Sequence, residues 1–222
     1  MNNKLIQGLT EIGIPQEQIN TLATKMDLYI KELMLFNAAY DLVGAEDEEG
    51  IIVKHILDSL SAYSVIKELI EETSLKKTEK IHIGDIGSGG GFPGIPLAAT
   101  FPEIQFTLIE RMSKRCAFLE NCAAILGLKN VSVENTQIEQ FPENELDIAT
   151  FRAFRPLDKK MTKTILRAIK PDGFFAAYKA KKESIEEEMK AISNIIPEYK
   201  IKPLTVPFLE NHQRHIVLVK KN

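Results

Sequence analysis

Ile81-His82-Ile83-Gly84-Asp85-Ile86-Gly87-Ser88-Gly89-Gly90-Gly91-Phe92-Pro93-Gly94 decides the fold. An apolar run ends at Ile86, four of the next five residues are glycine, and Pro93 stands where a helix would open. Glycine tolerates positive φ and lets a ligand approach the main chain. Proline loses nothing in a first helical turn, where its missing N–H has no intrahelical partner. A second apolar run, Phe106 to Ile109, ends on Glu110. Strand, glycine turn, helix, strand and acid form the first half of a nucleotide-binding α/β unit.

Working outward, the same alternation continues. Strands are expected at 81–86, 104–109, 130–134, 146–151, 173–179, 199–207 and 214–220, and helices at 93–100, 113–126, 157–169 and 183–195. Ser113 suits an N-cap and Gly127 a C′ position. Alternating β and α units imply a mostly parallel sheet with helices on both faces. The last two strands have no helix between them, so they should form a hairpin with an antiparallel final strand. Upstream, Ile19, Leu22, Met26, Tyr29, Leu33 and Phe36 step by three or four, one face of a helix that Pro15 begins. The acidic loop Glu46 to Gly50 interrupts it. A second helix carries Ile52, His55, Ile56, Ser59, Leu60, Tyr63 and Ile66, and Glu71 to Lys80 is a polar connector. This divides the chain into a helical extension, 1–75, and an α/β domain, 76–222.

Two kinds of ligand compete for the glycine turn. Gly89, Gly91 and Gly94 satisfy G-x-G-x-x-G, with Glu110 placed to hold a ribose, as in dinucleotide sites. Asp85, however, lies two residues before Gly87, where a carboxylate would repel a pyrophosphate. It suits a cation carrying an ammonium and a sulfonium, as S-adenosylmethionine does. A purely structural turn is the third reading. The pattern Asp85-x-Gly87-x-Gly89-x-Gly91 resembles the first motif of class I S-adenosylmethionine-dependent methyltransferases, which have a Rossmann-like sheet of this kind, and Glu110 resembles their ribose-binding acid.

The 222 residues are 44% hydrophobic, enough for a core, with no apolar run near the roughly 20 residues that span a bilayer. The start, Met1-Asn2-Asn3-Lys4, lacks a signal peptide's apolar stretch. Cys116 and Cys122 point in different directions on one helix and are expected to be free thiols in a reducing cytoplasm. Two cysteines and four scattered histidines offer no metal cluster. The net charge of −3 divides into −11 over residues 1–151 and +8 over residues 152–222. A basic C-terminal part can face an RNA backbone, or simply be a solvated surface.

Several further segments narrow the resemblance: His55-Ile56-Leu57-Asp58-Ser59, Gly91-Phe92-Pro93-Gly94-Ile95-Pro96-Leu97, Lys114-Arg115, Phe118-Leu119, Arg152-Ala153-Phe154, Tyr178-Lys179 and Arg214-His215. Their order and spacing resemble the bacterial small-subunit (16S) ribosomal RNA guanine-N7 methyltransferases, the RsmG (formerly GidB) family, from about Asp41 to Lys220. The chain departs from that pattern at Asp41-Leu42-Val43, where Asn-Leu-Thr is frequent. It also departs at Ser88-Gly89-Gly90 (Thr-Gly-Pro) and Lys179-Ala180-Lys181 (Lys-Gly). The resemblance implies that Asp85, Gly87, Gly89, Phe92 and Glu110 hold S-adenosylmethionine, with Ile138 and Glu139 by the adenine. Arg152 then reaches the methionine end or the target base. Lys114, Arg115, Lys179 and Arg214 become RNA contacts, and Arg152 and Lys179 the residues nearest the chemistry.

On chemistry, a guanine N7 lone pair attacks a methyl group without prior deprotonation, so no general base is needed. The Asn/Asp-Pro-Pro-aromatic motif common in exocyclic-amine methylation is replaced by Thr150-Phe151-Arg152-Ala153-Phe154-Arg155-Pro156, and no cysteine sits on an open loop for attack at cytosine C5. Arg152 could instead make only an ion pair with Asp85 or Asp58. His55 and Asp58, one turn apart, read as a hydrogen-bonded brace, and Phe154 as either a base-stacking or a core aromatic. The expected partner is 16S RNA or the small ribosomal subunit, bound by a cytoplasmic monomer with no membrane or metal. The alternatives are a methyltransferase acting on another RNA or a small molecule, and a non-catalytic ribosome-binding domain.

Overall fold

The computed structural model describes residues 2–44, 47–75, 77 and 79–221. Met1, Glu46 of the acidic loop, and Lys76 and Thr78 of the connector lie outside the described residues. The described residues form a seven-stranded sheet in the order β3-β2-β1-β4-β5-β7-β6. Its strands are β1 (His82–Ile86), β2 (Gln105–Glu110), β3 (Val131–Asn135), β4 (Leu146–Arg152), β5 (Ile169–Lys179), β6 (Lys200–Pro203) and β7 (His215–Lys220). Strands β1 to β5 are parallel; β7 runs antiparallel to both β5 and β6, as the helix-free closing pair requires. The chain winds outward from β1 through β2 and β3, then crosses to β4. This strand-order reversal opens a crevice beyond the C-terminal ends of β1 and β4.

The helices are α1 (Asn3–Ile12), α2 (Gln16–Tyr40), α3 (Glu48–Ile51), α4 (Asp58–Leu60), α5 (Tyr63–Ser74), α6 (Gly94–Thr100), α7 (Ser113–Ile125), α8 (Lys159–Ala168) and α9 (Lys182–Ala191), with a π-helical segment at Ile52–Leu57. The period-two alternation of the central strands serves two cores. Phe174, Ala176, Tyr178, Ile216 and Leu218 face the N-terminal helices, α6 and α7. Phe175, Ala177, Val217 and Val219 face α8 and α9. The α2 stripe Ile19, Leu22, Met26, Tyr29 and Leu33 is buried in the first core.

Several boundaries differ from the sequence expectation, each for a physical reason. Helix α1 was not expected; the Asn2 side chain caps it by accepting from Lys4 N. The second helix is broken into α3, the π segment, α4 and α5, and α5 continues through Ser74 into the supposed connector. Pro93 sits in the turn before α6, which begins at Gly94. Ser113 is the first residue of α7 rather than its cap; the Glu110 carboxylate accepts from Met112 N instead. Strand β5 starts at Ile169, passing through a register shift opposite Leu146 to Ile148.

Tyr29 ties the helical segment to the glycine turn. Its ring is fully buried and its hydroxyl donates to Gly90 O. Tyr29→Phe should leave that buried carbonyl unpaired and lower stability by about 1–3 kcal/mol, read as an earlier urea midpoint at unchanged slope.

Candidate active site

The glycine turn is built by left-handed residues: Gly87, Gly89 and Gly91 have φ of 69°, 55° and 95°. Gly87 N and Ser88 N donate to Ile109 O (2.8 and 3.2 Å), fastening the turn to β2. Two buried acids complete it. Glu110 accepts from Gly89 N at 3.0 Å and from Met112 N at 2.9 Å. Each carboxylate oxygen has further lone-pair capacity, so Glu110 can still receive hydroxyl donors. Asp85, fully buried, accepts from Gly94 N at 3.0 Å through Oδ2, while Oδ1 has no partner. Burial raises its pKa to about 7, against the lowering effects of the Gly94 amide, Ser88 and Arg152.

Two cavities open at the crevice. The smaller, about 410 Å³, is lined by Gly87, Glu110, Met112, Arg115, Gln137 and Ile138 among others. The larger, about 1010 Å³, is lined by residues including Lys54, His55, Asp58, Arg152, Tyr178, Lys179, Lys181 and Arg214. Ala153 and Phe154 belong to the walls of both. The structure therefore brings Gly87, Glu110 and Ile138 together around one cavity, and Arg152, Lys179 and Arg214 around the other. Gly89 supports the first from beneath, through Glu110. Glu139 instead turns toward Arg155, at 3.1 Å. Lys114 is exposed outside both cavities. Arg115, expected among the RNA contacts, lines the smaller cavity and donates to Asp41 O at 2.7 Å.

Arg152 is held from three sides. Its Nη1 meets Asp58 Oδ2 and Lys54 O, both at 2.9 Å; Nη2 donates to His55 Nδ1 at 2.9 Å. Its guanidinium lies 5.1 Å from the Phe92 ring centroid. Phe92 is buried against Tyr29 and His55 rather than lining either cavity. Asp58 also takes Arg214 Nε at 3.1 Å, so one nearly buried carboxylate bridges two arginines. The π-helical segment and the first residue of α4 bring the Lys54 carbonyl, His55 and Asp58 onto Arg152 together, in line with the use of π-bulges at functional sites. Lys179 Nζ lies 2.7 Å from Glu188 Oε2, and Glu188 also accepts from Leu157 N. Sequence reasoning missed Glu188, Lys54 and Gln137. Gln137 follows β3 at the ligand-binding end of the sheet, a position that could have flagged it; the Lys179–Glu188 pair has no local signature.

The architecture is that of the class I S-adenosylmethionine-dependent methyltransferases. A SAM-dependent methyltransferase from Aquifex aeolicus matches with a TM-score of 0.55 at 17% identity, covering 88% of this chain and 98% of that one. A tRNA methyltransferase from the same organism matches at 0.56 and 14% identity, covering 87% and 76%. The family model of GidB, rRNA small subunit methyltransferase G, matches residues 22–217, and the chain belongs to that family. Proteins named ribosomal RNA small subunit methyltransferase G are similar along nearly the whole chain. The one from Treponema denticola is 42% identical over 99% of this chain and 94% of its own length. The one from Neisseria meningitidis serogroup B is 33% identical over 98% and 97%.

His55 gives the site a pH signature. Burial, then Arg152 and Lys54, lowers its pKa to about 3, so the folded protein keeps it neutral as an acceptor. The unfolded chain protonates it below about 6.5. The unfolded state thus binds more protons between those values, and stability falls as pH drops from about 6.5 toward 3. His55→Gln should flatten that part of the decline, measured by urea unfolding at a series of pH values.

Proposed function

We propose that this protein transfers the methyl group of S-adenosylmethionine to N7 of a guanine in 16S ribosomal RNA, presented as RNA or as the small ribosomal subunit. The observation that carries this reading is the pair of buried acids on the glycine turn. Asp85 keeps an unpartnered oxygen and Glu110 keeps spare acceptor capacity. Glu110, in the wall of the smaller cavity, suits a ribose, and Asp85, which lines neither cavity, adds a negative charge behind the turn that favours a cation over a pyrophosphate. Bound there, the cofactor supplies an electrophilic methyl group.

In this reading Gly87, Gly89, Glu110 and Ile138 cradle the nucleoside, Asp85 balances the cofactor's charge, and Phe92 acts through Arg152. The residues of the larger cavity hold the acceptor. Arg152, fixed by Asp58 and His55, orients the base or the donor's carboxylate without moving a proton. Arg214 and Lys179 contact the RNA backbone, Lys179 by exchanging Glu188 for a phosphate, and Arg115 and Lys114 flank the donor side. The 3–74 helices form an extension sharing the sheet's first core. No described helix is long and apolar enough to cross a membrane, and no described cluster of metal-ligating residues is present. A cytoplasmic monomer acting on RNA accords with this reading.

Incubation with 16S RNA or small subunits and S-adenosylmethionine should yield 7-methylguanine at one position, located by borohydride–aniline cleavage and mass mapping. Methyl incorporation that resists cleavage would move the acceptor elsewhere. Asp85→Asn should weaken S-adenosylmethionine binding by about 1–3 kcal/mol, the worth of a charge-assisted contact, measured by calorimetry. Arg152→Ala should lower the rate at saturating cofactor and RNA if it acts in the transition state; full recovery at high cofactor would confine it to ground-state binding.

A further inference from the structure

We propose that Phe154 is a movable plug: its ring occupies the place against Gly87 that the methyl donor takes, and it turns into the neighbouring cavity when the donor binds. This rests on the reading of the smaller cavity as the donor seat. A Cβ built on Gly87 would lie 2.6 Å from Phe154 Cδ2 and 2.8 Å from Cε2. The ring therefore covers the open face of the first loop glycine, the face whose bareness admits a ligand to the main chain. The three atoms nearest that Cβ all belong to the Phe154 ring, the third being Cγ at 3.7 Å.

Three features make this placement reversible. Ala153, just before the ring, has a φ of +50°, a left-handed conformation that costs any residue with a Cβ. The plugged form therefore carries local backbone strain that a turn of the segment relieves. The ring and Ala153 are also the partition between the two cavities, so the larger one is free volume immediately beside the ring. Finally, the outer clamp on the ring is solvated. The Arg155 guanidinium lies 5.4 Å from its centroid and pairs with Glu139, with about half of the Arg155 side chain exposed. On its inner side the ring meets Phe151 edge-on, centroids 6.0 Å apart, and is only partly buried against the second core. By contrast, Arg152, next to Ala153, is fixed by Asp58, His55 and the Lys54 carbonyl. The hinge thus lies between a pinned residue and an unpinned one, and donor entry would open the wall on the acceptor side.

The sign of one substitution tests this. A plug lowers the apparent affinity by the fraction of open molecules. Calorimetry with S-adenosylhomocysteine, the demethylated co-product, which binds without turnover, should show Phe154→Ala binding roughly five- to tenfold tighter than wild type. Ala153→Gly, which accepts φ of +50° without steric cost, should favour the plugged form and bind a few-fold more weakly. The chain has no tryptophan, so Phe154→Trp supplies a sole indole reporter whose emission should change on binding. Weaker or unchanged binding by Phe154→Ala, or an indole emission that stays constant while calorimetry records binding, overturns the plug and leaves the donor seat standing. Absence of binding by both wild type and Phe154→Ala overturns the donor seat and the plug together. Binding by Phe154→Ala alone supports the plug.

Discussion

A carboxylate buried completely near the end of β1, with one oxygen satisfied and one not, is the constraint around which this molecule is arranged. Asp85 receives the first amide of α6 through Oδ2, and Oδ1 has no partner among the described residues. An unpaired buried charge is costly, so in the free protein burial raises this group's pKa to about 7. The space around it leaves no tolerance. A Cβ on Gly94 would lie 2.6 Å from Asp85 Oδ2 and 2.3 Å from Leu108 Cδ2, so only glycine can bring the α6 amide to the carboxylate. The glycine turn, Glu110 beneath it and Tyr29 behind it all hold the main chain around this point.

The second organising charge is Asp58. It stands on the helical segment, yet its two oxygens serve arginines from β4 and from the residue before β7. Breaking such a buried bridge by removing one partner is strongly destabilising, because a charge is left uncompensated. The bridge therefore couples the N-terminal helices to the late strands across the larger cavity. Under the proposed transfer, which needs no base, orientation is the contribution that a guanidinium fixed in this way would make. The Tyr178 hydroxyl, donating to Ser59 O at 2.8 Å, is a further tie between the same two regions.

The sheet was legible because its signals are local. Apolar runs, the glycine turn and the acid that ends β2 all lie within residues 81–110, and the helix-free closing pair announces the antiparallel strand. The extension was less so. The π-helical segment at Ile52–Leu57 has the same apolar spacing as an α-helix over so short a stretch, and α1 is capped by Asn2 rather than marked by a long stripe. Site residues divide the same way. Gly87 and Glu110 stand at strand ends and could be placed at the crevice from order alone, whereas Ile138 is placed by the family resemblance. Arg152 was assigned either a ligand or an ion pair with Asp58 or Asp85, and the ion pair with Asp58 is present in the structure. The Glu188 partner of Lys179, nine residues on in the next element, and the Phe154 contact with Gly87 depend on how elements pack, which no spacing encodes.

If Asp85 is the charge that selects a cationic donor, binding must change its protonation. A bound cation stabilises the carboxylate and lowers its pKa from about 7, so a proton leaves as the ligand enters and affinity rises as pH increases through that value. Calorimetric titration with S-adenosylmethionine near pH 6.5, repeated in buffers of different ionisation enthalpy, counts that proton directly. The account predicts release of up to one proton in the wild type and none in Asp85→Asn. Binding with no net proton release in the wild type would contradict it.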